Sequence, residues 1–352
     1  MFFSVIIPVY NVAKYLPRGF NSLKLQTFTD FEIIFVDDGS TDSSGEICDN
    51  IAASNPHITV IHKKNEGSGP ARNTGMEAAQ GQYLLFFDID DLLKPSAFER
   101  LHKELVEDTT DILVFGYEEV NPRLKLKSEY RFPDLSCHDN GKIRAVYSEY
   151  LSGIKFNNGF VWNKVYRREF VKENDLRFEP LRIQQDEVFN LAVYPKASSL
   201  RTIPDILYTY FIYDSGNTRS RYIPERLDIY RRVHEAFLSL YSHWHLEDTA
   251  LLQFIHLRFF DSVIYHINYN VFHPDNGLTP DRCRNAILDI MQAPDTRRML
   301  QALEDICLIQ SRHRKGYFKA MQTQSVPDYI RLVRKERIIK RLKNIARKIL
   351  PR

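Results

Sequence analysis

The sequence predicts an α/β fold in which a Rossmann-like, doubly wound and mostly parallel sheet is followed by a C-terminal helical region. Three observations lead to this prediction. Over residues 1–120, short apolar runs alternate with stretches of helical period, which is the strand–helix order of a parallel sheet. Acidic, turn-forming motifs directly follow two of these runs, and ligands of such sheets bind where strands end. Residues 226–330 show helical spacing throughout.

The apolar runs predict five strands in the first region. They lie at residues 3–7, 31–36, 58–61, 83–87 and 112–120. Helices are predicted at residues 12–26, from a capping box at Ser43 and Glu46 to about Ser54, from the glycine-rich turn 66–70 to Gln80, and after Pro95.

The rest of the chain has a more mixed pattern. Residues 121–140 are polar and turn-rich, and we expect a surface excursion there. Later elements are a strand at 159–166, a helix at 186–193, a strand at 206–213, helices over 226–330 and a basic amphipathic helix at 329–350. The predicted regions are 1–120 and 121–225, the two halves of the α/β domain, then 226–328 and 329–352.

The composition indicates a folded protein without a disulfide framework. Hydrophobic residues make up 43% of the chain and aromatic residues 12%, which is enough to fill a core. The four cysteines are far apart and none has CxxC spacing, which argues against zinc ribbons and fits a reducing cytoplasm. No window of about eighteen apolar residues predicts a transmembrane helix, and the N-terminus lacks the features of a signal peptide.

The positive charge is concentrated at the C-terminus. Residues 331–352 hold ten Lys/Arg against one Glu, a local balance of +9, so the total of +3 leaves the rest of the chain near −6. The pI therefore gives no reason to expect a nucleic-acid partner. Ile338, Leu342 and Ile345 share one helical face of the tail, which favours contact with an anionic membrane surface through residues 329–352. Packing of that face into the core is the alternative.

Three carboxylates, those of Asp88, Asp90 and Asp91, fall within four residues at the end of a predicted strand. Like charges this close repel one another unless a cation lies among them, and carboxylate oxygens suit Mg²⁺ or Mn²⁺. One or two carboxylates would hold the ion, and substrate phosphate oxygens would complete its shell. An acidic turn at a helix N-terminus is the alternative, but the position at a strand's carboxyl end favours the metal.

A second acidic motif, residues 37–42, follows the second strand. A carboxylate there can accept a hydrogen bond from a pyrimidine ring N–H or a ribose hydroxyl, and an ordinary Asx turn is the alternative. Tyr10, at the end of the first strand, can stack on a base. Arg72 either pairs with Asp37 or Asp38, reaches a diphosphate, or is a surface residue.

In this order, the motifs resemble those of the family 2 glycosyltransferases with the GT-A fold. The matching segments are residues 4–11, 34–42, 65–67, 71–73 and 87–91. The resemblance is dense over residues 3–100 and sparser to about residue 221, and the set of motifs is highly specific. It implies an inverting, metal-dependent hexosyl- or N-acetylhexosaminyltransferase. The donor would be a nucleotide-sugar, preferably a UDP-sugar, and the acceptor a hydroxyl of a growing capsule, lipopolysaccharide or similar surface glycan. The transmembrane helices and Gln-x-x-Arg-Trp motif of processive members are absent, which implies addition of a single sugar.

The resemblance also implies roles for individual residues in the first half of the α/β domain, which would bind the nucleotide-sugar. Pro8, Tyr10 and Asp38 would border a uracil-type base, with Asp38 accepting the ring N–H. Asp42 and Arg72 would support this pocket.

The DxD motif of the family matches Asp88, which would lie near the ribose, and Asp90, which would bind the metal. An inverting transfer also needs a general base on the acceptor side. Residues 184–189 resemble the family's Glu-Asp segment, and Asp186 aligns with the base. Gln185 stands where the family has Glu, and Glu187 is the alternative base.

The second half of the domain would bind the acceptor. The segment Trp162-Asn163-Lys164 resembles one beside the family's acceptor pocket, where Trp162 either stacks on a sugar or fills the core. The loop 215–221 is predicted to close over the diphosphate, with Arg219 or Arg221 as its cation.

Two other functions compete with this interpretation. A sugar nucleotidyltransferase would use similar carboxylates and Mg²⁺, but it should have a glycine-rich basic loop after the first strand, where this chain has residues 8–11, Pro-Val-Tyr-Asn. A non-catalytic module resembling a receiver domain would need no second acidic cluster. We therefore expect a cytoplasmic enzyme, peripheral on the inner face of the cell membrane, that acts on a glycan or lipid-linked acceptor.

Overall fold

The computed structural model describes residues 1–151, 159–213, 221–246, 249–305 and 311–349. The chain divides into two units. The first comprises Met1–Asn217 and Ser242–His245, and the second comprises Thr218–Tyr241 and Leu246–Arg352.

One mixed sheet forms the centre of the first unit, with ten strands over the described residues. The strands are β1 (Phe3–Val9), β2 (Phe31–Asp37), β3 (Ile58–His62), β4 (Tyr83–Phe86), β5 (Leu92–Leu93), β6 (Ile112–Asn121), β7 (Leu126–Tyr130), β8 (Leu135–Cys137), β9 (Lys164–Arg167) and β10 (Leu200–Phe211). Their order is β3-β2-β1-β4-β9-β6-β10-β5, with β7 beside β6 and β8 beside β10. The β3-β2-β1-β4 half is parallel, and β9 joins it to the parallel β6-β10 pair by antiparallel pairing on both sides.

Helices surround this sheet, and β1 and β2 are buried at almost every position. That burial explains their continuous apolar sequences, because a strand covered on both faces has no polar side. The helices of the first unit are α1 (Leu16–Lys24), α2 (Ser44–Ala53), α3 (Ser68–Ala78), α4 (Ala97–Glu107), α5 (Asn140–Val146), α6 (Arg168–Glu173) and α7 (Gln185–Val193). The predicted α/β class with a mostly parallel sheet is confirmed.

Residues 121–140 lie mostly at the surface, as predicted, but the sequence did not predict the strands β7 and β8 within them. Four of the five β7 residues are exposed, so the strand has no alternation of apolar and polar residues to reveal it. The sequence did not predict β5, because a strand of two residues is too short to show a periodic pattern. The capping box was also wrong: the Ser43 side chain makes no capping bond, and Asp42 accepts a hydrogen bond from the Ser44 N–H over 2.9 Å.

The second unit is helical over the residues that the structure describes. Its helices are α8 (Arg226–His243), α9 (Thr249–His266), α10 (Pro280–Gln292), α11 (Pro294–Asp305), α12 (Arg312–Gln322) and α13 (Val326–Ile349). Phe260, Ile287, Met291 and Tyr317 belong to their shared apolar core. Among the helices described, none combines the length and the hydropathy needed to cross a membrane.

A buried carboxylate, that of Asp111, joins three strands of the sheet in the first unit. Asp111 precedes β6 and is 2% exposed. One oxygen accepts bonds from Arg167, at the end of β9, and the other accepts bonds from Ser198 and Ser199, just before β10. Burial alone would raise the pKa of this carboxyl, but the bonds from Ser198 and Arg167 lower it below its usual value.

We predict that Asp111→Asn destabilises the first unit by about 2–3 kcal/mol at pH 7, because charge-assisted bonds to a buried group are lost. A carboxyl whose pKa is lower in the folded state stabilises above its unfolded pKa, and this stabilisation disappears as the pH falls through the folded pKa. The difference from the native protein in urea unfolding should therefore shrink below about pH 4. As a control, Asp175→Asn removes a carboxylate that is 88% exposed, and we expect a change under about 0.5 kcal/mol. Equal losses in both variants would contradict the assignment.

Candidate active site

The loops that follow β1 and β2 lie side by side, as expected for the carboxyl ends of neighbouring parallel strands. The Asp38 N–H donates to the Val9 carbonyl over 2.8 Å. Asn11, at a φ of 54°, accepts hydrogen bonds from the N–H groups of Thr41 and Asp42 at 2.8 and 3.3 Å. The Tyr10 side chain is 49% exposed beside them, so its ring is open to a ligand. The Asp42 carboxylate accepts a hydrogen bond from the Ala13 N–H, which connects the loop after β2 to the loop after β1.

Asp38 is 2% exposed and links the loop after β2 to the segment that follows β3. One oxygen accepts from the Glu66 N–H at 3.0 Å and from Lys63 Nζ at 3.2 Å, and the other accepts from the Gly67 N–H at 2.7 Å. Gly67 has a φ of 100°, which glycine tolerates and other residues rarely adopt. Sequence reasoning missed Lys63, although its place directly after β3 is where parallel strands present ligand-binding residues.

The buried side chain of Arg72 connects two carboxylates from distant parts of the chain. Its guanidinium donates to Asp186 Oδ1 at 2.7 Å and to Asp88 Oδ1 at 3.0 Å, and the residue is only 3% exposed. The predicted pairing of Arg72 with Asp37 or Asp38 was therefore wrong, whereas its support of the base pocket stays a prediction. Arg72 lies one turn into α3, where it meets the end of β4 and the first turn of α7.

The electrostatics of this cluster adjust the proton affinity of Asp186. Its side chain is 22% exposed, and burial raises the pKa of its carboxyl to about 6 even though Arg72 opposes the shift. Asp88 raises the pKa further, whereas Lys164 lowers it. A carboxyl with this pKa is ionised at neutral pH and yet is a stronger base than an ordinary aspartate.

The three aspartates that follow β4 have different environments. Asp91 is buried and accepts hydrogen bonds from the Tyr208 hydroxyl and the Phe211 N–H, both at 2.8 Å, so it anchors the turn to β10. Burial, together with repulsion from Asp88, raises the pKa of the Asp90 carboxyl to about 6. Within the described chain, no neighbouring side chain donates a hydrogen bond to that carboxylate.

The environment of Asp90 fits a divalent cation. A carboxylate that receives no hydrogen bond from neighbouring side chains in the described residues, and that lies near a second carboxylate, gains from a hard cation. In the part of the chain that the structure describes, no three His, Cys, Asp or Glu side chains form a metal cluster by themselves. An ion held at Asp90 would take one or two oxygen ligands from these carboxylates and the others from substrate phosphate oxygens.

Two residues predicted for the acceptor pocket are buried. Trp162 is 1% exposed and packs against the rings of Phe160 and Tyr208 at centroid distances of 4.6 and 4.5 Å. Its predicted stacking on a sugar was wrong, and the core alternative applies. Lys164 is fully buried, with its ammonium donating to the Phe160 carbonyl and to Asn163 Oδ1, so its predicted acceptor contact was also wrong. Burial lowers the pKa of this ammonium to about 7.

Of the other residues predicted for the site, the structure describes Glu187 and Arg221. Glu187 follows Asp186 in the first turn of α7 and is partly exposed. Arg221 is exposed and belongs to the second unit, whereas Arg219 lies outside the described residues. Gln185 donates to the Ser68 hydroxyl over 2.6 Å, a contact between α7 and the start of α3.

Comparison with known proteins gives consistent matches. The model of the family "Glycosyl transferase family 2" matches residues 4–174. A curated relative, the uncharacterized glycosyltransferase EpsJ of Bacillus subtilis, is 31% identical over 254 residues, which cover 69% of this chain and 70% of EpsJ.

Two solved structures share the fold. The structure of Staphylococcus aureus TarS 1–349 in complex with UDP-GlcNAc superposes with a TM-score of 0.64 at 23% identity, over 96% of this chain and 92% of that one. The mannosyltransferase PcManGT from Pyrobaculum calidifontis, in complex with GDP-Man and Mn²⁺, gives a TM-score of 0.50 at 13% identity, over 96% of this chain and 86% of that one. At these identities the likeness shows the GT-A fold.

We predict that Arg72→Met raises the pKa of Asp186 above its value of about 6 in the native protein, because the nearest cation is lost while Asp88 stays close. The pKa values can be measured by carbon-detected NMR titration of the aspartate carboxyls. Arg177→Met serves as the control, since Arg177 pairs with Glu77 and Asp175 and is 49% exposed. An Asp186 pKa that moves down or stays fixed in Arg72→Met would contradict the assigned electrostatics.

Proposed function

Because the chain belongs to glycosyl transferase family 2, we propose that this glycosyltransferase transfers a single sugar from a UDP-sugar to a hydroxyl of a growing surface glycan, with inversion at the anomeric carbon. The observation that carries this proposal is the pair of bonds from Arg72 to Asp88 and Asp186. Through these two bonds, one guanidinium holds the carboxylate that we assign to the donor side, Asp88, close to the one that we assign to the acceptor side, Asp186. Membership in this family argues against a nucleotidyltransferase and against a non-catalytic module.

The nucleotide would bind between the loops after β1 and β2. Tyr10 offers an exposed aromatic face for the base, and Pro8 lies two residues earlier, in β1. A carboxylate has about four lone-pair sites, and Asp38 accepts three hydrogen bonds from the protein. One site is left for the ring N–H of a uracil, while Lys63 and two backbone N–H groups keep the carboxylate fixed.

Asp90 would hold Mg²⁺ or Mn²⁺, and Asp88 would lie near the ribose. A bound divalent cation supplies positive charge that stabilises the departing diphosphate. The hydrogen bonds and ion pairs within the protein decide which of the three aspartates is available to the ion. Asp91 is already bonded to β10, and Asp88 is held by Arg72, so Asp90 is the member of the cluster that is open to an added ligand.

Asp186 would act as the general base. Its Oδ1 is fixed by Arg72, and its Oδ2 accepts no hydrogen bond from the described residues, so we assign Oδ2 to the acceptor hydroxyl. As that hydroxyl attacks the anomeric carbon, its proton passes to Oδ2, and the bond between the anomeric carbon and the diphosphate oxygen breaks, so that UDP leaves. A base of this kind contributes roughly 10²–10⁴-fold to the rate. Arg72 keeps the carboxylate oriented, and Gln185 ties the first turn of α7 to α3.

The test is a screen of UDP-, GDP- and dTDP-sugars for metal-dependent donor hydrolysis, followed by acceptor transfer. We predict that Asp186→Asn keeps donor affinity and loses about 10²–10⁴-fold in transfer, whereas Asp90→Ala loses the metal-dependent part of donor binding. Glu187→Gln is the matched control, because it neutralises the adjacent acid in the same helical turn. If Asp186→Asn transfers normally and Glu187→Gln does not, the base is misassigned.

We also propose that α13 docks on an anionic membrane surface, such as the inner face of the cell membrane, where a lipid-linked acceptor would be present. Ile338 and Leu342 are 59% and 60% exposed, one helical turn apart. Residues 331–352 hold ten Lys/Arg and one Glu around them. Exposed apolar side chains within a strongly basic segment match the interface of an anionic bilayer in both hydropathy and charge.

Vesicle sedimentation tests this docking. We predict that the native protein binds phosphatidylglycerol vesicles more tightly than phosphatidylcholine vesicles. Replacing both Ile338 and Leu342 by Ser should weaken binding about tenfold or more, because buried apolar area is lost. The control replaces Leu124 and Leu126 by Ser, since these residues in the first unit are equally exposed, at 60% and 59%. Equal binding by both double variants, or no preference for the anionic lipid, would refute the docking.

A further inference from the structure

Helix α1 packs along the turn that carries Asp88 and Asp90. Four residues on one side of α1 and just beyond its end, Arg18, Gly19, Ser22 and Gln26, contact residues 90, 89, 93 and 94 respectively. Gly19, Ser22 and Gln26 are three and four residues apart, as on one helical face, and Arg18 lies four residues before Ser22. Nothing in the sequence marked this face, because it alternates between charged, small and polar residues and lacks an apolar stripe.

From Gly19 onward, the contacts follow the same order along the two segments. Gly19 lies so close that a Cβ atom there would be 2.1 Å from the Ile89 carbonyl oxygen. The Ser22 hydroxyl accepts a bond from the Leu93 N–H at 3.4 Å, and the Gln26 amide donates to the Lys94 carbonyl at 2.8 Å. The helix therefore restrains one side of the turn from Ile89 onward, while Asp91 and β5 tie the other side to β10.

Arg18 makes the contact nearest to the candidate metal ligand. Its guanidinium donates to the Asp90 carbonyl and, at 2.6 Å, to the Tyr213 hydroxyl. The same hydroxyl lies 3.3 Å from the Asp90 carbonyl. The guanidinium also stacks on the Phe211 ring, with 4.3 Å to the centroid. Arg18 is thus held from two sides and cannot swing away from Asp90 without losing both contacts.

We propose that Arg18 and Gly19 are positioning residues for Asp90: by fixing the peptide backbone at residues 89–90, they aim the Asp90 carboxylate at the divalent cation. This inference rests on the proposed function, which makes Asp90 the metal ligand. A side chain that receives no hydrogen bond from neighbouring side chains can be oriented only through its own backbone and rotamer. For Asp90, Arg18 of α1 and the Tyr213 hydroxyl restrain the backbone carbonyl, and Asp91 fixes the next residue to β10.

Loss of this positioning should lower the affinity of the site for the metal ion. Mg²⁺ and Mn²⁺ sites with few protein ligands depend on well-placed oxygens, since the ion tolerates little distortion of its octahedral geometry. Freeing the Asp90 peptide would spread the carboxylate over several orientations. The affinity for the donor in the presence of metal should therefore decrease. Nucleotide binding without metal uses the loops after β1 and β2, and its affinity should not change.

The test measures UDP affinity by titration calorimetry, with and without Mn²⁺, for the native protein and three variants. We expect Arg18→Met to weaken Mn²⁺-dependent UDP binding about tenfold, as for lost outer contacts of metal ligands, and to leave metal-free binding unchanged. Tyr213→Phe, which removes only a hydroxyl, should give a smaller loss of the same kind. Gly19→Ala should match Arg18→Met, because its Cβ must displace Ile89. In kinetics, all three should raise the Mn²⁺ concentration needed for half-maximal rate.

Two matched controls separate positioning from general damage. Arg100→Met removes an arginine with two carboxylate partners, Glu104 and Asp205, elsewhere in the first unit. Gly81→Ala places a Cβ 2.7 Å from the backbone of Phe3 and Ser4, near the start of β4. We expect both to keep the native Mn²⁺ dependence, even if they lower the unfolding temperature.

The outcomes distinguish the inference from the proposed function. If the native protein binds UDP with the same affinity with and without Mn²⁺, the metal-dependent function fails. If the native protein depends on Mn²⁺ and Arg18→Met shows the same dependence, the positioning role is overturned. Should Arg18→Met and Gly19→Ala fail to fold, Tyr213→Phe decides, since a native Mn²⁺ dependence in that variant also overturns the role.

Discussion

The double ion pair of Arg72 is the interaction on which the rest of the site depends. A buried guanidinium must be paired, because an isolated charge in the protein interior is costly. Its partners Asp88 and Asp186 are 16 and 114 residues away in sequence. They meet because β4 delivers Asp88 to the carboxyl edge of the sheet and α7 begins beside it. Losing this one side chain would leave two neighbouring carboxylates repelling each other, with no other bonded cation between them in the described residues.

Neighbouring side chains, rather than sequence motifs, decide what each acid does. Asp88, Asp90 and Asp91 are nearly consecutive, yet one is paired with Arg72, one is held only through its peptide and one is bonded into β10. Asp186 stays basic because burial outweighs its arginine partner, whereas Asp111 is acidic because hydrogen bonds outweigh burial. The same residue type is therefore a candidate base at Asp186, a candidate metal ligand at Asp90 and a structural link at Asp111, according to whether burial, charge or hydrogen bonding is the larger influence.

The sequence predicted what local patterns determine. The strands β1 to β4 and the acidic motifs at their ends follow from continuous apolar runs and from the edge to which parallel strands lead. Arg72's partners, the burial of Lys164 and the contact of Arg18 with Asp90 were not predictable in this way, because each depends on residues far along the chain. Strand β7 escaped because its side chains are exposed and leave no periodic signal.

The most direct test of the account is a crystal structure with Mn²⁺ and an intact UDP-sugar bound. We predict that the uracil lies against Tyr10 and Asp38, that Asp90 contacts the ion, and that the Asp186 carboxylate faces the anomeric carbon from the side opposite the diphosphate. A donor bound away from the ends of β1, β2 and β4, or an Asp186 on the diphosphate side of the sugar, would contradict it.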